Sequence, residues 1–570
     1  MKTGLKPISP EEQVSLEKRK LKRIRLNALG ASRVNHERKK HGLVPIKKET
    51  FLPEVDAETS GAAANITEVS SLGTLDIPAQ LDNSALPSFP VIVNQGPQAS
   101  CVAFASTYYL ASHELCLTLG CDNKSAQQKV LSPKWTYNLI NGGVDDGASF
   151  SDAFSVLEKH GAPLNAEFPV DADFRAWSLN SALWKEALGA RLSPFVSVAI
   201  NTDAAIANVK QVLMNGHVLM MGTYINSWVF NTVKANPSAI SNPFVGQKIV
   251  THLNGKLGGH AMTIVGYDDN IWTDINGNGL VEPSELGAFK VANSWGVYWG
   301  NQGYSWASYD AFRTTTTVPG WNVTGRLPVT QTSTVFFASY APAVSKALVE
   351  VTLSHARRNQ VAVQLGSSSN MQTTPNTTWK PFAFSNIGGD FAFDGTTVEK
   401  EGTFYFDISA LVSDLSTEKY YLTVSDATTG SALQVKSFKI IDPQVGTTLF
   451  AASNVPLFVD AGAATLSVGN PYLGDVTPPS VPQNFKATLE SYKVGKKTQY
   501  RTAMSWTAAT DNVGVAKYRI YRNGVRLNET TSSKYTDSSI SQGVSYTYEI
   551  TALDAKGNES QKSVAMTVRW

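Results

Sequence analysis

From about residue 329 onward, apolar side chains recur at every second position. A period of two commits that part of the chain to strands with one buried face. Val349, Val351 and Leu353 alternate with Glu350 and Thr352; Val361, Val363 and Leu365 repeat the pattern, as do Leu422 and Val424. Residues 329–474 are therefore predicted to form an antiparallel β-sandwich. Asp475-Val476-Thr477-Pro478-Pro479-Ser480-Val481-Pro482 is a stiff proline-rich joint. Beyond it, residues 475–570 form a further all-β unit in which Trp506 and the tyrosines are expected in the core. A chain of 570 residues has room for about three or four domains. The expected fold class is multidomain, with two all-β units making up the carboxyl-terminal part.

Charge is unevenly spread. Residues 1–50 hold 14 Lys and Arg against 5 Asp and Glu, and the remainder holds 35 against 42, so a basic arm precedes a mildly acidic body although the net charge is only +2. Ser9-Pro10-Glu11-Glu12 is a helix start of capping-box type, and Val14, Leu21, Ile24 and Ala28 mark a helical stripe. The stretch 54–74, poor in aromatics and rich in Ala, Ser, Thr and Glu, has the composition of an exposed linker suited to cleavage. Residues 1–76 thus read as a basic helical arm and linker. A basic run is commonly a solvated or nucleic-acid-binding tail, but here its position favours docking on the acidic body, and no nucleic-acid partner is expected. No run of 18 apolar residues occurs, so no membrane span is expected. Met1 does not begin a conventional signal peptide, which leaves a removed leader or another export route.

The chemistry concentrates at Asn94-Gln95-Gly96-Pro97-Gln98-Ala99-Ser100-Cys101-Val102-Ala103-Phe104. Phe104, Tyr108, Ala111 and Leu115 follow a helical period that places Cys101 at a helix N-terminus, with Ser100 as the expected N-cap. Unpaired amides there favour a thiolate, the form in which cysteine attacks carbonyls. Downstream, Gly258-Gly259-His260 delivers a histidine onto an apolar strand, and Val291-Ala292-Asn293-Ser294-Trp295-Gly296 ends a strand at an asparagine. An amide that accepts from the far ring nitrogen holds an imidazole base in one tautomer, and a glutamine N–H can meet a developing oxyanion. Cys101, His260, Asn293 and Gln95 therefore form a complete set for acyl transfer.

At these residues the sequence resembles the papain-like cysteine peptidases, from roughly Ile77 to Arg313. The resemblance rests on the spacing of Gln95 to Cys101, on Asn293-Ser294-Trp295-Gly296 with Trp299-Gly300-Asn301-Gln302-Gly303-Tyr304, and on Ile77-Pro78, where mature family enzymes often begin. It implies an α+β papain-like domain over 77–328, followed by two all-β sandwich domains, with Cys101 as nucleophile, His260 as base and then acid, Asn293 as its orienter and Gln95 as oxyanion donor. Trp295 would shield the His260–Asn293 hydrogen bond and, with Gly259, border the substrate. Substrate backbone would lie along Asn141-Gly142-Gly143 or Asp146-Gly147-Ala148-Ser149, with Gly147 favoured because a helix follows it. Gln98, Ala99 and Val102 depart from the family pattern, and the disulfide that usually braces this loop is missing. No departure removes a catalytic group.

Cys101 and His260 are 159 positions apart, a little beyond the roughly 130–150 of the family. Between His260 and Asn293 lies Asp274-Ile275-Asn276-Gly277-Asn278-Gly279-Leu280-Val281-Glu282-Pro283-Ser284-Glu285, which fits the calcium-loop pattern at every specified position. Its expected ligands are Asp274, Asn276, Asn278, the Leu280 carbonyl, Glu282 through water and bidentate Glu285. A polar hairpin tip is the alternative. The flanks look extended, so structural Ca²⁺ would pin the connection between the strands bearing His260 and Asn293; no organic cofactor is implied. Cys116 and Cys121 either pair across a short loop or stay reduced.

Two weaker resemblances complete the chain. Val349 to Leu365 and Phe404 to Asp426 resemble jelly-roll P-domains. Trp506, Tyr518 to Gly524 and Tyr546 to Asp554 resemble a bacterial fibronectin type III module. Together these readings predict a secreted cysteine endopeptidase made as a zymogen, acting on protein or peptide substrates, with its own arm as inhibitor and a cell-surface or glycan ligand for the β domains. A non-catalytic adhesin on a peptidase scaffold and a cysteine acyltransferase are the alternatives; the presence of all four catalytic residues disfavours the first, and Asn293 with Trp295 disfavours the second.

Overall fold

The computed structural model describes residues 2–570 except 25, 47–54, 58–76, 238–241, 341, 343, 370–371, 386–387, 416–417 and 470–474. The chain divides into two compact units. One comprises residues 1–365, 379–410 and 422–466, the other residues 366–378, 411–421 and 467–570.

In the first unit, helices Pro133–Ile140 and Phe150–Lys159 begin where the sequence supplies caps. The Ser132 hydroxyl accepts from the Trp135 amide ahead of Pro133, and the Ser149 hydroxyl accepts from the Asp152 amide. They stand with the helical run that starts at Cys101, and next to them runs a nine-stranded sheet. Its central strand, Gly259–Trp272, pairs antiparallel with Leu219–Tyr224 on one side and Leu286–Ala292 on the other. This register sets His260 opposite Thr223 and Thr263 opposite Ala292, so His260 and Asn293 lie at the same end of two neighbouring central strands.

The sheet reaches past the expected limit of the peptidase region at 328. Thr334–Phe337 pairs with Val196–Ala199 and touches Leu219–Tyr224. Val335, Phe336 and Phe337 are all buried, the signature of a strand covered on both faces, and alternation alone cannot say which sheet such a run joins.

The sandwich that follows has one sheet ordered Lys400–Asp407, Leu348–His355, Leu433–Asp442 and Thr447–Ala451, with Leu457–Val459 beside Leu433–Asp442. The other is ordered Thr377–Trp379, Val361–Ser369, Glu418–Asp426 and Gly462–Gly469. Within the first unit this sandwich shares a core with the peptidase region. Trp184 and Phe404 rings lie 4.9 Å apart, Trp177 stacks on Phe393, and Arg358 lies over Trp177 at 4.6 Å. The Arg358 guanidinium donates to the carbonyls of Gly388 and Arg175, both at 2.6 Å. Arg191 pairs with the buried carboxylate of Asp407.

The arm departs from its expected single helix. The Ser9 hydroxyl accepts from the Glu12 amide as a cap should, but the helix Pro10–Glu17 stops there. Leu21–Ile24 is a strand paired with Val55–Ala57, and a second helix spans Ala28–Lys40. Leu21 and Ile24 fit a helical spacing, yet Ile24 is buried only as a strand beside the body. Apart from Val55–Ala57, the linker expected at 54–74 lies outside the described residues.

In the second unit, Gln483–Val494, Lys497–Thr507 and Lys534–Asp537 form a three-stranded sheet. Val525–Thr530, Val515–Arg522, Ser545–Asp554 and Met566–Arg569 form a four-stranded one. Phe485, Trp506, Tyr518, Ile520, Tyr548 and Ile550 fill its core.

Candidate active site

Cys101 opens a helical run of Cys101–Ala103, a π-helical Phe104–Ala111 and Ser112–Leu119, and it is fully buried. Ser100 does not cap this helix with its side chain. Its carbonyl accepts from the Phe104 amide instead, and its hydroxyl is buried without a partner. The preceding loop is fixed by other means. Gly96 turns at φ +75°, the Gln95 amide donates to the Ser294 carbonyl at 2.7 Å, and the Ala99 amide donates to Asp145 at 2.7 Å. Cys101 is the free thiol, whereas Cys116 and Cys121 are joined in a disulfide.

His260 Nε2 donates to Asn293 Oδ1 at 2.7 Å. That bond puts the ring proton on Nε2 and leaves Nδ1 as the basic atom; Nδ1 is buried and unpaired. The Trp295 ring centroid lies 4.6 Å from that of the imidazole. Tyr109, from the nucleophile's helix, donates to the Asn293 carbonyl at 3.0 Å and so locks helix to strand end. Gln95 is 2% exposed. Its Oε1 accepts from Ser294 Oγ at 2.6 Å, which turns Nε2 toward Gln98 O and toward the carbonyl of Lys2 at 3.4 Å. The structure therefore brings together all four residues singled out in the sequence. The supporting roles of Tyr109, Ser294 and Asp145 carried no sequence signal beyond their nearness to the motifs.

The arm lies across this site. The Leu5 amide donates to the Gly259 carbonyl at 3.0 Å, the Ala148 amide to the Gly4 carbonyl at 2.8 Å, and the Lys6 amide to the Ala148 carbonyl at 3.0 Å. Of the two glycine segments considered, it is Gly147-Ala148 that borders the chain in the cleft. Gly147, at φ +106°, leaves the space, since a Cβ there would sit 2.1 Å from Gly4 O. Ala148 supplies the hydrogen bonds, a backbone role the sequence gave no sign of. Gly143 instead packs on Phe391. Gly259 is equally close, with a Cβ meeting Leu5 O at 2.3 Å. Lys2 pairs with Asp145 at 2.6 Å, and Glu12 accepts from the Ser151 amide in the first turn of a peptidase helix. The half-exposed ion pair of Lys2 adds at most about 1 kcal/mol. Burial of Leu5, Leu16, Ile24, Leu26 and Val34, at roughly 1.5–3 kcal/mol per side chain, dominates docking.

The electrostatics follow from that cover. Burial pushes the Cys101 thiol up to about 11, against backbone N–H groups of Ala261, Gly4, Val102 and Cys101 itself that favour the anion. Burial holds His260 down at about 4, only partly offset by its bond to Asn293. Both groups are neutral in this state.

In the loop 274–285, the Glu285 carboxylate accepts from the Ile275 amide at 2.6 Å and from the Trp272 indole. Asp274 Oδ2 accepts from Lys234 at 2.6 Å and from the Gly279 amide at 3.2 Å, while its Oδ1 is buried and unpaired. Asn276 and Asn278 oxygens accept from the Asn278 and Leu280 amides, and Glu282 accepts from the Asn276 side chain. The turns fall at Gly277 and Gly279, both at positive φ. An orphaned Asp274 oxygen and an oxygen-only donor set fit a hard cation; Lys234 already neutralises one charge there.

A nucleophile at a helix start, an imidazole clamped by an asparagine and a glutamine donor on one cleft define a cysteine-peptidase site. Residues 77–316 match the family described as papain family cysteine protease, and this part of the chain is a domain of that family. The chain is also 45% identical over 98 residues to an alpha-amylase of Niallia circulans, covering 17% of this chain and 7% of that one. It is 33% identical over 138 residues to chitinase Chi52 of Paenibacillus xylanexedens, covering 24% of each. The chain thus spans a quarter or less of these relatives' length. Among solved structures, xylellain, a cysteine protease from Xylella fastidiosa, is similar at 22% identity and a TM-score of 0.30, over 46% of this chain and 87% of that one.

Proposed function

We propose that the protein is a cysteine endopeptidase made as a zymogen. His260 Nδ1 takes the Cys101 proton, Sγ attacks the substrate carbonyl carbon, and the Gln95 side chain with the Cys101 amide donates to the oxyanion. The same imidazole then protonates the departing amine, and water releases the acyl group from sulfur. Asn293 orients the ring throughout, while Trp295 keeps water from the His260–Asn293 bond. The observation that supports this reading most is the His260–Asn293 bond of 2.7 Å together with the Ala261 amide reaching the Cys101 sulfur.

The arm at the cleft supports latency. The Gly4 N–H reaches the Cys101 sulfur, so the arm covers the nucleophile where a substrate would sit. Removal of the arm through the linker at 54–74 would open the site. Ca²⁺ would be held by Asp274, Asn276, Asn278, the Leu280 carbonyl, Glu282 and Glu285, tying together the strands that carry His260 and Asn293. The disulfide fits an oxidising compartment, and likeness to proteins named alpha-amylase and chitinase fits an extracellular enzyme whose β domains hold it at a glycan or cell surface. No helix among the described residues is long and apolar enough to cross a membrane.

One experiment tests the core of this reading. Wild type and Cys101→Ala are incubated with a mixed peptide library, with and without calcium, and new amino termini are identified by mass spectrometry. Termini generated by wild type alone are expected, including one near Ile77; identical products from both proteins would refute the assignment.

A further inference from the structure

Beyond the covered imidazole, the wall of the cleft continues as a file of aromatic rings. His260 to Trp295 is 4.6 Å, Trp295 to Trp299 is 6.0 Å, Trp299 to Trp228 is 6.2 Å and Trp228 to Phe230 is 5.8 Å. The file ends in a cavity of about 490 Å³ lined by Phe230, Gln247, Lys248, Trp299, Asn301 and Tyr304 among others. None of the catalytic residues lines it.

Three features give this cavity a chemistry. Phe230 is 42% exposed, and the adjoining loop carries Val297 and Tyr298, the latter fully exposed, so an apolar rim faces solvent. The Lys248 ammonium lies 5.6 Å from the Phe230 ring centroid, has no carboxylate partner among the described residues, and no Asp or Glu lines the cavity. Gln247 Oε1, which accepts from Asn301 Nδ2 at 2.8 Å and the Trp306 indole at 3.1 Å, fixes the cavity's polar side. A large apolar group beside a negative charge fits this arrangement.

Its place relative to the reaction follows from proton flow. His260 hands its proton to the departing amine, so the carboxyl-side half of a substrate leaves over the imidazole and Trp295. Residues 4–6 of the arm bond instead to Ala148 and to the Gly259 carbonyl, and none of them bonds to Trp295 or Trp299. Taken end to end, the two ring-to-ring steps of 4.6 Å and 6.0 Å set the farthest that Trp299 can lie from the imidazole, within reach of about three residues of extended chain at roughly 3.3 Å each.

We propose that this cavity is a specificity site for the carboxyl-side portion of a polypeptide substrate. It takes a large apolar side chain about three residues beyond the scissile bond, against Phe230 and Trp299, with an adjacent acidic residue paired to Lys248. The proposal rests on the peptidase reading and deepens it.

The test uses two quenched fluorescent peptides that share their amino-side sequence. One stops a single residue after the cleaved bond; the other continues with Phe at the third position and Asp at the fourth. The full chain, after its own processing, is compared with Phe230→Ala and Lys248→Glu. Each variant is expected to lower kcat/KM for the long peptide by about tenfold, the size of an apolar-pocket effect, and to leave the short peptide unchanged. Exchanging the Asp for Lys is expected to restore cleavage by Lys248→Glu, which a merely structural lesion would not do. Binding of the long carboxyl-side fragment to Cys101→Ala, followed by tryptophan fluorescence, gives a readout independent of chemistry. Equal cleavage of the long peptide by all three proteins, or fragment binding unaffected by Phe230→Ala, would overturn the inference. Absence of cleavage with fragment binding intact and sensitive to Phe230→Ala would sink the peptidase reading and leave the site standing.

Discussion

The backbone N–H of Leu5 donates to the carbonyl of Gly259 at 3.0 Å, one residue before His260. A segment almost at the amino terminus thereby holds the strand that carries the candidate base. Its side chain occupies a pocket so close to Gly222 that a Cβ there would meet Leu5 Cδ2 at 2.7 Å.

Gly4 is the tightest point of this contact. A Cβ at residue 4 would come 1.9 Å from the carbonyl oxygen of Ala99, a backbone atom that cannot swing aside. Gly4→Val is expected to lose about 2 kcal/mol of docking, in the range of overpacked sites, and to raise the rate at which iodoacetamide labels Cys101 about thirtyfold. Labelling followed by intact mass spectrometry measures it. An unchanged rate would mean that residues 2–6 do not guard the sulfur.

Docking should also depend on pH in two windows. With the arm in place His260 sits at about 4, against about 6.5 for a free imidazole. Between those values the open site takes up a proton that the docked site refuses, so docking weakens about tenfold for each unit the pH falls from 6.5 toward 4. Cys101 sits at about 11 when covered and at about 8.5 when free. In that upper window the open site gives up a proton that the docked one keeps, and docking weakens as pH rises. Cys101 labelling, normalised to a small thiol, is expected to pass through a minimum between about 6.5 and 8.5; a monotonic profile contradicts the scheme.

The four residues on the cleft were readable because each sits where local patterns change. Cys101 falls at the onset of a helical period, His260 just after a glycine pair that opens a strand, Asn293 where a strand ends, and Gln95 beside a turn glycine. Backbone roles were opaque: Ala148 acts through its N–H and C=O, for which no side chain is diagnostic. The arm misled for a related reason, since Leu21 and Ile24 satisfy a helical spacing and a short strand equally well. Arg358 gave no warning either. In sequence it is one of two adjacent arginines in a polar turn, and only tertiary packing shows that Arg357 faces solvent while Arg358 is 1% exposed.

The loop at 274–285 can be dissected by separating cation from scaffold. Calcium is expected to raise the melting temperature of the full chain, and Asp274→Asn to abolish that rise, with a smaller loss in chelator because the amide keeps an acceptor for the Gly279 N–H while giving up the ion pair with Lys234. Glu285→Gln should differ, because the Glu285 carboxylate holds the Ile275 amide and the Trp272 indole even without metal. It is expected to destabilise by about 2 kcal/mol in chelator as well, the worth of a buried charged acceptor. A melting temperature indifferent to both calcium and chelator would make the loop a polar hairpin tip.

Arg358 tests whether the sandwich and the peptidase region behave as one folding unit. The guanidinium is held by carbonyls from both, Arg175 on one side and Gly388 and Ala392 on the other, and burial lowers it to about 9. Arg358→Met keeps much of the stem over Trp177 but strands those carbonyls, at a cost of roughly 3 kcal/mol. If the regions unfold together, one calorimetric transition should shift down as a whole; two separable transitions, only one of them shifted, would contradict the shared core. His160 adds a pH signature at the same junction. Its Nε2 accepts from the Ala383 amide, and burial holds it at about 3. The unfolded chain binds a proton below about 6.5 that the folded one excludes, so stability is intact above that pH and falls by up to about 1.4 kcal/mol per unit down to about 3. His160→Gln, which can keep an acceptor toward Ala383 without titrating, is expected to flatten that slope for the same transition that Arg358→Met shifts.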